Sequence, residues 1–100
     1  MSDVLLHLIV PTSVADALAE WLLEREDVPG FSSLPISGHG SSEHSMTLAE
    51  QVAGRTRRAM FLLEMPQPVA EQVLSALRCD FAGTGLHWWM SPVLAAGRLD

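Results

Sequence analysis

The chain has 100 residues, a formal net charge of −6, 48% apolar residues and no lysine. That length allows one domain, spanning residues 1–100, whose single core is only just adequate, and no run reaches the roughly 20 apolar residues of a membrane span. The acidic balance repels nucleic acid and anionic lipid at long range, which leaves a folded protein with no nucleic-acid partner and no direct membrane insertion.

Met1-Ser2-Asp3 has no positive charge, and the apolar run after it is broken by His7 and Pro11, so no secretory signal is expected and the cytoplasm is the default location. From Asp3 to Val10 the residues Val4, Leu6, Leu8 and Val10 alternate with Leu5, His7 and Ile9, and both sets are largely apolar. Two apolar faces predict an interior strand, since a solvent face shows charge at every second position. Pro11 stops it. Ser13 to Asp16 reads as a capping box opening a helix with Val14, Leu18, Trp21 and Leu22 on one side, and Val28-Pro29-Gly30 ends that helix. A second strand is expected from about Phe31 to His39, where Pro35 removes a ladder donor and so calls for a sheet edge.

After a polar stretch beginning at Ser41, a third strand is expected over Arg57 to Met65, again apolar on both faces. Pro66-Gln67-Pro68 leads into a helix with Val69, Val73, Leu74 and Leu77 on one side. Cys79, alone and therefore without an internal disulfide, is expected to be a small buried hydrophobe. Gly83-Thr84-Gly85 forms a turn, and a last strand over about Leu86 to Met90 sends Trp88 and Trp89 to opposite faces. The order is βαββαβ. Two such split halves make an α+β ferredoxin-like sandwich, a four-stranded antiparallel sheet with two helices on one face and strands one and three central. The uncovered face, with Leu5, His7 and Ile9, then predicts burial between subunits; His7 is expected there as a hydrogen-bonded interface residue.

Ile36-Ser37-Gly38-His39-Gly40, just before the polar stretch, resembles the end of strand two in PII signalling proteins, ahead of their T-loop. Leu86-His87-Trp88-Trp89-Met90-Ser91-Pro92-Val93 resembles their fourth strand and its exit. Within that pattern the chain resembles the PII-like group encoded beside cobalt-zinc-cadmium type heavy-metal efflux pumps. The resemblance implies a cytoplasmic homotrimer with a T-loop-like segment at about 41–54 that contacts a transporter or regulatory protein, and clefts between subunits that hold a small effector. It places Gly38 and Gly40 at a nucleotide cleft, Gly83, Thr84 and Gly85 at the phosphate-gripping B-loop, and Arg98 in a tail that supplies phosphate contacts. The family's B-loop lysine is missing, which argues against adenine-nucleotide binding, because each lost charge-assisted hydrogen bond costs about 1.5–3 kcal/mol. Arg55, Arg57 and Arg58 offer positive charge in its stead.

His39, Glu43, His44 and Met46 fall within eight residues, and imidazole, carboxylate and thioether donors suit a divalent transition metal such as zinc or cobalt, or copper. Their spacing matches no recognised site; a serine-rich surface stretch carrying histidines by chance is the competing account. No Ser/His/Asp or Cys/His order and no paired carboxylates emerge, so the chain is expected not to be an enzyme. The expected function is a trimeric sensor or adaptor that reports metal status to an efflux system through the 41–54 segment, with Leu48 and Val52 as a docking face. Two alternatives stand beside it. One is a metal-binding trimer of the divalent-cation-tolerance type, which shares the fold. The other is a small dimeric α+β-barrel oxygenase or isomerase with a cavity flanked by His87, Trp88 and Trp89.

Overall fold

The computed structural model describes residues 3–40 and 56–100. Its elements are β1 (Asp3–Pro11), α1 (Thr12–Leu23), β2 (Ser32–Gly38), β3 (Thr56–Pro66), α2 (Gln67–Asp80) and β4 (His87–Pro92). The four strands form one antiparallel sheet in the order β2-β3-β1-β4. Both helices lie against β1 and β3. This is the ferredoxin-like sandwich, with the two strands of double-sided apolarity in the centre and Pro35 on an edge strand, where its missing N–H costs no ladder bond.

Strand alternation divides the sheet cleanly. Val4, Leu6, Leu8 and Val10 of β1 are buried, as are Phe61, Leu63 and Met65 of β3, and they meet Leu18 and Leu22 of α1 and Ala70, Val73, Leu74 and Leu77 of α2. These residues are the core. The opposite set on β1, Leu5, His7 and Ile9, is only half-buried, and it lies in register with Glu64, Leu62 and Met60 of β3. The second face of the sheet is therefore apolar and partly open in the single chain, as the two-sided pattern of β1 predicts.

The expected capping box at Ser13 does not form. Pro11 both ends β1 and occupies the N-cap of α1, with φ −57° and ψ 149° and no side-chain cap hydrogen bond, so Ser13 already sits in the first turn. Pro66 repeats the arrangement between β3 and α2, with Pro68 in the first turn of the helix. The strand β4 runs on to Pro92, past the expected end at Met90, because β1 continues to pair with it as far as Val4. Cys79 is exposed rather than buried: the core positions of α2 end at Leu77, and two residues further round a helix points away from the sheet.

The helices are joined at their C-terminal ends. Trp21 Nε1–H donates to Asp80 Oδ2 at 2.8 Å, its ring meets Phe81 edge-on at 5.7 Å, and the Arg25 guanidinium lies 4.8 Å from the Trp21 ring centre. Arg25 in turn donates through Nε and Nη2 to both Asp27 carboxylate oxygens, at 2.9 and 2.7 Å. That bidentate pair holds the Asp27 carboxyl below its ordinary range.

Candidate functional site at one end of the sheet

Three chain reversals gather at one end of the sheet. There β1 passes straight into α1 at Pro11–Thr12, β2 ends and β3 begins with Gly38 opposite Thr56, and the α2–β4 turn comes back beside Pro11. The turn is shaped by glycines at φ +78° (Gly83) and +81° (Gly85), a region that L side chains rarely occupy, and a Cβ on Gly85 would lie 3.6 Å from Pro11 Cγ. Thr84 closes it: its N–H and its hydroxyl both donate to the Phe81 carbonyl, at 3.4 and 2.7 Å. Past β2, Gly40 also has a positive φ, +80°.

Between α1, β2 and β3 this end holds an open cleft of about 390 Å³, lined by Thr12, Pro35, Ile36, Ser37, Arg57 and Arg58. Arg57 stands opposite Ser37, and Arg58 lies between Ile36 and Pro11 in the ladder. Adjacent strand positions send their side chains to opposite sides of a sheet, so Arg57 and Arg58 border this cleft from opposite faces. The N-terminal backbone N–H groups of α1 open toward the same end, since Thr12 is the first residue of that helix. Arg57, Arg58, Thr12, Ser37 and the start of α1 bring positive charge and hydrogen-bond donors to this end of the sheet, the kind of chemistry that suits an anion.

The structure thus brings Gly38, Gly40, Gly83, Thr84 and Gly85 to one end of the molecule. It does not bring Arg98 there within one subunit. The Val93 N–H donates to the Asp3 carbonyl at 3.1 Å, so the tail leaves from the opposite end of β1, and Arg98 pairs with Asp100, 3.6 Å away and exposed. His39 is exposed beside Gly40. Glu43, His44 and Met46, with Arg55 and the T-loop-like segment itself, lie outside the described residues. Among the described residues no three His, Cys, Asp or Glu side chains gather as a metal site. Thr12 and Ser37 were not legible as site residues. The only hint at Thr12 is its place directly after a strand-ending proline, and Ser37 carries none.

A second surface lies on the open face of the sheet. His7 stacks on Trp89, with ring centres 4.6 Å apart and planes 18° from parallel, and His87 approaches the same indole at 5.7 Å. His7 Nδ1 is buried by this stack and has no hydrogen-bond partner among the described residues. A buried unpaired nitrogen is costly, by about 1–3 kcal/mol, in a chain that stays alone. The interface hydrogen bond expected of His7 is therefore not made within the subunit.

The model of the family described as "Protein of unknown function (DUF3240)" matches residues 1–100. No curated protein matches the chain. Among similar solved structures is a DUF3240 family protein from Shewanella baltica, at a TM-score of 0.80 and 23% identity, covering 100% of this chain and 99% of that one. Another is CPII, a nitrogen regulatory PII-like protein from Thiomonas intermedia bound to ADP, AMP and bicarbonate, at a TM-score of 0.70 and 17% identity, covering 99% and 98%. A third is TTHA0516 from Thermus thermophilus, described as a PII-like signalling protein, at 0.64 and 16%, covering 93% and 90%. At these identities the likeness is one of fold, and the fold is PII-like.

Proposed function

The chain belongs to the DUF3240 family, and from that premise we propose that it is a non-enzymatic, PII-like signalling protein. In this reading the basic cleft at the sheet end binds the phosphates of an adenine nucleotide, and the adjoining 41–54 segment passes the bound state to a partner protein. A ligand there acts by favouring some conformations of that segment over others, since only differential affinity between states can switch a partner.

The observation that carries the reading is the meeting of Arg57, Arg58, Ser37 and Thr12 with two glycine-bearing chain reversals at one end of a PII-like sheet. The missing B-loop lysine is no longer an argument against nucleotide. Two guanidiniums supply positive charge at that end, and the similar CPII is bound to ADP and AMP. We further infer that copies join through the open sheet face as a homotrimer, which hides the half-buried apolar set and gives His7 Nδ1 a partner. The finer reading, in which the chain reports transition-metal status to an efflux pump, rests on the sequence resemblance and on His39.

Isothermal titration of the full chain with ADP, AMP and ATP tests the effector. Micromolar binding of at least one nucleotide is expected. The double change Arg57→Ala and Arg58→Ala should weaken it by tenfold or more, the loss due to even one charge-assisted hydrogen bond of about 1.5–3 kcal/mol. No heat with any of the three at millimolar concentration refutes the nucleotide. A parallel titration with zinc and copper, in which His39→Ala leaves affinity unchanged, removes His39 from the metal reading.

A further inference from the structure

On the helix-covered side of the sheet, β4 is an edge strand, while the two helices lie against β1 and β3. Trp88, in register with the buried Leu8, is therefore only partly covered and keeps 40% of its surface in water. Beside it is a hollow of about 230 Å³, walled by Trp88, by Leu74 and Leu77 of α2, and by Phe81 and Leu86 at the two ends of the α2–β4 turn. Glycines complete the wall. A Cβ on Gly83 would meet nothing within 4 Å, so no side chain closes the hollow at that point.

Arg78 is the one charged residue in that lining. It lies on the exposed side of α2 and makes no ion pair among the described residues. The acids of the same helix are engaged or distant: Asp80 accepts the Trp21 indole N–H, and Glu71 is two turns away, about 10 Å at 1.5 Å per residue, where it borders an adjoining outer hollow. An apolar hollow with one unpaired cation at its wall is the general form of a small-molecule site.

Size, shape and charge narrow the occupant. An apolar cavity of about 150 Å³ takes a benzene ring, so this one has room for a ring and a short side chain. Phe81 and Trp88 offer aromatic walls, against which a planar ring packs well. One guanidinium fork matches one carboxylate, whereas the phosphates of a nucleotide bring further negative charges that no other residue of the lining offsets. We propose that the pocket between α2 and β4 binds a small aryl monocarboxylate, its ring against Trp88 and its carboxylate on Arg78. The site is separate from the sheet-end cleft and from the open sheet face, and it does not depend on either having the role proposed above.

The test is a titration of the isotope-labelled full chain with phenylacetate, followed by nuclear magnetic resonance. Phenylacetate should shift the Trp88 indole signal and the Gly83 and Leu86 amides, with half-saturation at millimolar concentration or below. Phenylacetamide, the same ring without the charge, should bind at least tenfold more weakly. Arg78→Gln, at an exposed position, should weaken phenylacetate by a similar factor and leave phenylacetamide as it was. If Arg78 serves only to balance the negative C-terminal end of α2, that variant lowers the melting temperature and leaves phenylacetate binding intact, which overturns the proposal. Equal binding of phenylacetamide overturns it too, as do shifts confined to Ser37, Arg57 and Arg58 or to His7 and Trp89, and so does the absence of any shift at tens of millimolar.

Discussion

Trp89→Ala is the sharpest test of the open sheet face. Trp89 stacks on His7 and leaves 40% of its area in water. Taking about 250 Å² for a tryptophan, about 100 Å² remains to be covered, worth ~2.5 kcal/mol per copy at ~25 cal/mol per Å². That is roughly a 60-fold loss for each copy that joins, since ~1.4 kcal/mol is tenfold. Leu23→Ala is the control. Leu23 is 74% exposed, but it sits at the end of α1, away from the sheet. Sedimentation velocity across a concentration series reads the outcome, with circular dichroism to confirm that each variant is folded. The wild type and Leu23→Ala should share one dissociation midpoint, and Trp89→Ala should dissociate at a concentration at least tenfold higher. A wild type that stays monomeric through the micromolar range, or a Trp89→Ala midpoint equal to that of the wild type, refutes the account of this face.

Asp27→Asn should destabilise the chain at pH 7. Asp27 is held low by the hydrogen bonds from Arg25, so its contribution is present above the unfolded carboxylate range and is lost as pH falls through the depressed folded value; urea titrations should show a gap from the wild type at neutral pH that closes in strong acid. Gly85→Ala should cost ~1–2 kcal/mol by thermal or urea unfolding, because alanine at φ +81° is strained although the space beside Pro11 admits a methyl group. If the α2–β4 turn helps to hold nucleotide, the same variant should also weaken ADP binding in calorimetry; unchanged binding separates the turn from the cleft.

The legible part of the fold is the part governed by burial on two sides. Apolar residues at every position from Val4 to Val10 except His7 mean that both faces of a strand are covered or waiting to be covered, and the sheet order puts that strand in the centre. Pro35 was equally readable, because a missing donor is tolerated only at an edge. The helix start at Thr12 was not. Ser13 and Asp16 have the capping spacing, but Pro11 fixes the backbone two residues earlier, and such local geometry outranks a side-chain pattern. Cys79 misled for a related reason: chemistry favours its burial, while helical phase relative to Leu77 decides its side. At the candidate site the glycine pairs came with the resemblance, and the fold sets them at one end of the sheet. Thr12 and Ser37 were not legible, because isolated hydroxyls become site residues only when the topology sets them beside Arg57 and Arg58. Arg98 shows the converse, a residue whose assignment to the cleft came with the resemblance and which one subunit cannot deliver there.

Arg58 connects the two surfaces. By strand alternation it shares the open face with Met60 and Leu62, yet it also lines the cleft at the rim. If copies cover that face, the cleft opens at the boundary between them, and an anion bound to Arg58 neutralises a charge that would otherwise be desolvated on assembly. Binding and assembly then share one free energy: a ligand at 100 times its Kd stabilises the joined state by ~2.7 kcal/mol if the separate subunit does not bind it. That is about the size of the contribution worked out for Trp89. Saturating nucleotide should therefore move the dissociation midpoint of Trp89→Ala back toward that of the wild type, and it should fail to do so once Arg58 is alanine.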